Sequence, residues 1–142
     1  MPREQFSNSV RETEQIAIKL AATLRGGECI ALNGELGAGK TQFVRGLLKG
    51  LGGEARSVSS PTFVLLNVYE TGRLKLFHLD AYRVHGSEDF ESIGFTELLE
   101  QGGVVVVEWA ERVAALLPAN RLSVNIEHVD DHTRTITIEP PV

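Results

Sequence analysis

Apolar residues recur at helical spacing through residues 10–25, where Val10, Ile16, Ala17, Leu20, Ala21 and Leu24 fall on one side. Ser9 stands where an N-cap belongs, and Gly26-Gly27 stops the helix. Glu28-Cys29-Ile30-Ala31-Leu32 then reads as a buried strand. A glycine-rich turn follows, and a second helix over residues 40–51 closes at Gly52-Gly53. Residues 54–61 read as a loop. Residues 62–69 and 73–79 are rich in strand formers and flank Thr71-Gly72, which predicts a hairpin. Two short helical pieces interrupted by Gly94 are expected within 87–101. Residues 104–107 are four consecutive valines, the pattern of a strand covered on both faces of a parallel sheet. A short helix over 110–117 ends at Pro118. Residues 122–128 and 133–139 alternate around Asp130-Asp131 and predict a second hairpin.

Summed, the pattern predicts an α/β fold: a mixed, mainly parallel central sheet with antiparallel hairpins added and helices on both faces. No repeat, linker or low-complexity tract divides the 142 residues, so a single domain over 1–142 is expected. Hydrophobic residues at 42% and charged residues at 23% are globular proportions. No run approaches the roughly 20 apolar residues of a membrane helix. The first residues carry no apolar segment of the signal-peptide kind, and Cys29 is the only cysteine. A cytoplasmic protein is the simplest expectation. The net charge of −5, with scattered basic residues, argues against unaided nucleic-acid binding.

One segment changes the picture. Gly34-Glu35-Leu36-Gly37-Ala38-Gly39-Lys40-Thr41 satisfies G-x-x-x-x-G-K-[ST] at every fixed position, after a predicted strand and at the opening of a predicted helix. Glycines allow a tight turn whose successive N–H groups converge on phosphate oxygens, and the helix aims its positive end at the same anion. Lys40 reaches the outer phosphates, and the Thr41 hydroxyl supplies a ligand to Mg²⁺. This is a P-loop NTPase pattern, and the absence of an Asn/Thr-Lys-x-Asp element favours ATP over GTP.

A P-loop enzyme also needs a carboxylate at the end of an adjacent strand for Mg²⁺. Glu108 follows the four valines, the position of a Walker-B-type acid. Asp80 ends another predicted strand and reads either as a site acid or as a turn cap. Thr62, in Ser60-Pro61-Thr62, is either a switch threonine or the start of a strand. Trp109 is a core residue or a platform beside the site. His78, His85, His128 and His132 lack zinc-like spacing and read as surface or packing residues.

Four blocks, in order and at matching spacing, resemble the bacterial TsaE (YjeE) family, the ATPase subunit of tRNA threonylcarbamoyladenosine biosynthesis. They are the phosphate loop 34–41, Ser60-Pro61-Thr62-Phe63, His78-Leu79-Asp80-Ala81-Tyr82-Arg83, and Val107-Glu108-Trp109. The resemblance runs over most of the chain, from about Thr13 to Ile138. It implies that Lys40, Thr41 and the rest of the loop bind ATP phosphates, and that Thr41 and Glu108 hold Mg²⁺. It further implies a switch-like Thr62, an Asp80 near the γ-phosphate and attacking water, and a Trp109 flanking the site. Thr13 and Arg134 fall where family members approach the nucleotide. The implied partners are the TsaB and TsaD subunits, with tRNA reached only through that complex. Glu35 stands where aspartate is usual, Gln42 where a second threonine is usual, and Ala110 where proline is usual; Gln42 removes a hydroxyl near the α-phosphate but keeps its backbone N–H.

The expected chemistry is attack of water on the γ-phosphate, with charge held by Lys40, Mg²⁺ and loop amides. No arginine finger follows the loop, and Arg83 is the nearest motif candidate, so stimulation by a partner is expected. Two rivals remain: a small-molecule kinase, against which the acidic 84–101 segment lacks an arginine-bearing lid, and a non-catalytic nucleotide sensor.

Overall fold

The computed structural model describes residues 3–35, 39–54, 66–81, 91 and 94–139. Seven strands form one sheet: β1 (Arg3–Ser7), β2 (Cys29–Gly34), β3 (Leu66–Tyr69), β4 (Leu76–Asp80), β5 (Val104–Glu108), β6 (Leu122–His128) and β7 (Arg134–Glu139). The helices are α1 (Val10–Ala21), α2 (Lys40–Gly50) and α3 (Phe95–Leu99), with a 3₁₀ helix over Ala110–Leu116. The strand order is β1-β7-β6-β2-β5-β4-β3. The inner four strands, β6, β2, β5 and β4, are mutually parallel. The outer pairings β1–β7, β7–β6 and β4–β3 are antiparallel. The mixed sheet with a parallel core is the architecture expected from the sequence.

Its two faces are packed separately. Ile30, Leu32, Val104, Val106, Val124 and Ile126 lie under α1 and α2, together with Phe43, Leu47 and Leu48 of α2. Cys29, Ala31, Phe77, Leu79, Val105 and Val107 face α3 and the 3₁₀ helix through Phe95, Leu98, Ala110 and Val113. Alternate residues of β5 therefore serve opposite cores, which is why this strand reads as uninterrupted valine.

α1 begins as expected: Ser9 accepts a hydrogen bond from the Glu12 N–H at 3.1 Å. It ends at Ala21, earlier than the Gly26-Gly27 signal, and the Arg73 guanidinium donates to the Ala21 carbonyl at 3.1 Å and to that of Leu24. The α1–α2 contact is unusually close. A Cβ on Gly46 would lie 2.5 Å from the Glu14 carbonyl and 2.6 Å from the Ala17 Cβ, and one on Gly50 would lie 2.5 Å from the Ala21 Cβ. The spacing of four puts both glycines on one face of α2. β1 was not predicted: its sequence Arg-Glu-Gln-Phe-Ser carries one aromatic and no apolar alternation, and it is held as an edge strand by its pairing with β7.

Candidate functional site

Strand alternation decides which side each acid faces. Leu76, His78 and Asp80 share one face of β4, and Val104, Val106 and Glu108 share one face of β5. Leu76, Val104 and Val106 pack beneath α1 and α2, so His78, Asp80 and Glu108 open toward α2, the helix that follows the phosphate loop. Parallel register sets Asp80 beside Glu108, and Glu108 beside Leu32 of β2. The Ala81 N–H donates to the Glu108 carbonyl at 3.0 Å and extends this pairing past the acids. Both carboxylates are buried at the C-terminal ends of neighbouring strands.

Lys40 opens α2 and is itself buried. Its Nζ lies 3.9 Å from Glu108 Oε1 and 3.9 Å from the centroid of the Trp109 ring, and among the described residues no hydrogen bond reaches it. Burial holds its pKa below the usual lysine value, while Glu108, Asp80 and Glu111 oppose that shift and favour the cation. The lysine is thus an ammonium removed from water whose donors are unspent, the state that an incoming phosphate would relieve. Trp109 reaches it through an uncommon backbone: φ 56 and ψ 41, the only positive-φ residue other than glycine among those described. Such a conformation costs on the order of 1–3 kcal/mol. It turns the chain from β5 into the 3₁₀ helix and swings the ring back over Lys40. Trp109 also packs against the core beneath α3, as the packing reading of the sequence expects.

The start of α2 differs from that of α1. Its N-cap is Gly39, at φ 109, with no side-chain cap and no acid in the first turn. α1 has both a serine cap and Glu12. With no side-chain cap, the first N–H groups of α2 and its positive dipole end suit an external anion. Gly39 is required there, because a side chain disfavours that backbone conformation.

Between the ends of β2 and β6 lies an open cavity of about 460 Å³, lined by Asn33, Gly34, Glu35, Trp109, Glu111 and residues 125–128. β2 lies between β5 and β6, which leave it in opposite directions across the sheet, a topological switch point of the kind that binds ligands in open α/β sheets. Asn33 Nδ2 donates to Asn125 Oδ1 at 3.2 Å across this mouth.

The structure brings together Gly34, Glu35, Gly39, Lys40, Asp80, Glu108 and Trp109. Thr41 and Gln42 follow in the first turn of α2. Leu36, Gly37, Ala38, Thr62 and Arg83 lie outside the described residues. Thr13 and Arg134 stand apart on the β1–β7 side. The Ser7 hydroxyl donates to the Ser9 carbonyl at 2.8 Å, so the Thr13 hydroxyl donates to Ser7 Oγ, 2.7 Å away. Arg134 is paired in register with the same Ser7, and its guanidinium donates to the Asp130 and Thr133 carbonyls at 3.3 and 3.4 Å. His78 is the residue that spacing missed: it is fully buried, with Nε2 2.5 Å from Glu108 Oε2. Its two-residue offset from Asp80 was the available signal.

A parallel strand entering G-x-x-x-x-G-K-[ST], a helix with a bare N-terminus, and an acid ending the adjacent strand define the P-loop class of α/β proteins. The family model for threonylcarbamoyl adenosine biosynthesis protein TsaE matches residues 7–136, and the chain belongs to this family. The tRNA threonylcarbamoyladenosine biosynthesis protein TsaE of Treponema pallidum is 42% identical over 132 residues, 93% of this chain and 96% of that one. That of Aquifex aeolicus is 40% identical over 137 residues, covering 96% and 95%. The crystal structure of Bacillus subtilis YdiB superposes with a TM-score of 0.82 at 32% identity, over all of this chain and 87% of that one. No helix among the described residues is long and apolar enough to cross a membrane.

Proposed function

We propose that this chain is a Mg²⁺-dependent ATPase that serves tRNA threonylcarbamoyladenosine biosynthesis and hydrolyses ATP when docked on a TsaB–TsaD pair. The observation that carries the reading is the buried Lys40–Glu108 pair under the half-buried Trp109 ring at the start of α2, with Asp80 in register beside Glu108. The relatives' names supply the pathway.

The residues fit the group that the reading requires. Mg²⁺ in phosphate sites takes one or two carboxylates plus substrate oxygens rather than an all-protein cage. Glu108 and the Thr41 hydroxyl offer such oxygens, and among the described residues no cluster of three or more His, Cys, Asp or Glu side chains forms a separate metal cage. The bound ion supplies neutralisation of charge on the phosphate oxygens. Lys40 moves from Glu108 and Trp109 to the outer phosphates. The amides of the loop and of α2 hold the phosphate chain, and Asp80 orients the attacking water. Thr62 senses the γ-phosphate. The base occupies the cavity between β2 and β6, with Thr13 and Arg134 beyond it. Basal turnover is slow, because in the resting site Lys40 and Glu108 neutralise each other; the partner pair raises it.

The test is Mg²⁺-dependent ATP hydrolysis by the purified protein, with and without TsaB–TsaD, beside Glu108→Ala. The expected result is a low rate that the pair increases and that the substitution lowers by about 10²–10³-fold. A rate indifferent to the pair sinks the tRNA-modification role, and phosphate transfer to a small acceptor would make the protein a kinase.

A further inference from the structure

We infer that His78 is a positioning residue for Glu108: it holds one carboxylate oxygen and leaves the other to face the divalent ion. The inference rests on the reading of Glu108 as the acid of the Mg·ATP site.

The argument begins with where a polar ring is placed. His78 is fully buried in β4, on a face where Leu76, Val104 and Val106 lie toward the core and Asp80 and Glu108 end the strands. Burying a polar group without a partner costs free energy that an apolar residue at the same position would avoid. Among the described residues the ring has one hydrogen-bond partner: Nε2 lies 2.5 Å from Glu108 Oε2, and Nδ1 has none. Its aromatic neighbour, Tyr69, is tilted at 33° with centroids 6.4 Å apart, a loose contact. The histidine is therefore accounted for by the carboxylate rather than by packing. An Nε2–H tautomer donating to Oε2 matches both observations, since it leaves only an acceptor unpaired at Nδ1.

The consequence lies in how Glu108 is divided. Oε2 is occupied by His78, and Oε1 faces Lys40 at 3.9 Å. A carboxylate fixed at one oxygen cannot rotate to chelate with both. Glu108 thus presents a single, oriented oxygen on the phosphate side when Lys40 leaves it. Mg²⁺ demands near-ideal octahedral geometry, so a fixed single-oxygen donor matters more for it than for a larger cation. Hydrogen bonds that orient a ligating carboxylate typically contribute about 10–100-fold in metal affinity.

The experiment titrates Mg²⁺ into protein and a fluorescent non-hydrolysable ATP analogue, reading analogue affinity with and without the metal. In His78→Leu the Mg²⁺ concentration for half-maximal effect should rise about 10–100-fold. Analogue affinity in a metal chelator should stay within about twofold, since the loop amides and Lys40 are untouched. His78→Gln, whose amide reaches the place of Nε2, should stay near the native value. His78→Asn, whose amide falls short, should behave as His78→Leu, and the Gln–Asn contrast decides the matter if the leucine variant does not fold. A native Mg²⁺ midpoint in His78→Leu, an equal loss of metal-free affinity, or identical behaviour of Gln and Asn would overturn the inference. A native protein whose analogue binding ignores Mg²⁺ would overturn the Mg·ATP reading as well, whereas a Mg²⁺ response kept by every variant would overturn this inference alone.

Discussion

Replacing Gly46 by alanine sets two effects against each other. In an isolated helix the change should stabilise, because alanine is about 1 kcal/mol better than glycine in a helix interior. Here the new Cβ would stand 2.5 Å from the Glu14 carbonyl and 2.6 Å from the Ala17 Cβ. Ordinary contact begins near 3.4 Å, so α1 and α2 would have to separate by nearly an ångström. Both obstacles are backbone or backbone-anchored and cannot rotate aside. Overpacking of a well-filled core costs about 1–3 kcal/mol, and rigid neighbours put this site near the upper end. The net expectation is a loss of about 2 kcal/mol, or roughly 3–8 °C in Tm for a chain of this size. α2 also carries Lys40, so the shift should weaken nucleotide binding. Thermal and urea unfolding followed by far-UV circular dichroism give the sign directly. A Gly46→Ala protein as stable as the native one, or more so, would show that the helices are not in this contact and that propensity governs the position.

Two further outcomes can be checked on the same protein. Burial lowers the Lys40 pKa, so the unfolded chain binds its proton more tightly than the folded one. Between the lowered folded value and the ordinary lysine value, stability should therefore rise with pH. The native protein should gain stability relative to Lys40→Met as pH rises toward the ordinary lysine value of about 10.4, as read by urea midpoints, and a constant difference would refute the burial argument. Cys29 is buried in β2 with its thiol pushed up to about 12. Its reaction with a thiol reagent near neutral pH should follow opening of the sheet, slowing wherever denaturation midpoints rise; rapid labelling of the native state would place it outside the core.

Much of the fold was legible in the chain because local signals and burial agreed. The Ser9 cap, the apolar run into the phosphate loop, Thr71-Gly72 between β3 and β4, and Asp130-Asp131 between β6 and β7 each report short-range chemistry. Lys40, Thr41 and Glu108 are marked by motif and by position after a strand, and their places at the start of α2 and the end of β5 follow from those local signals. β1 escaped because an edge strand buries little and needs no alternation; pairing with β7 creates it.

What the sequence determined by itself was therefore the order of elements from α1 onward and the phosphate-loop motif, both set by backbone preferences and spacing within a few residues. Only the tertiary structure decided that His78 belongs with Glu108, thirty residues away, because strand register, not chain distance, sets that contact. It alone showed that Trp109 covers Lys40, through a backbone conformation that no local preference favours. Gly46 and Gly50 are the sharpest case: helix propensity disfavours both, and only the approach of α1 makes them necessary.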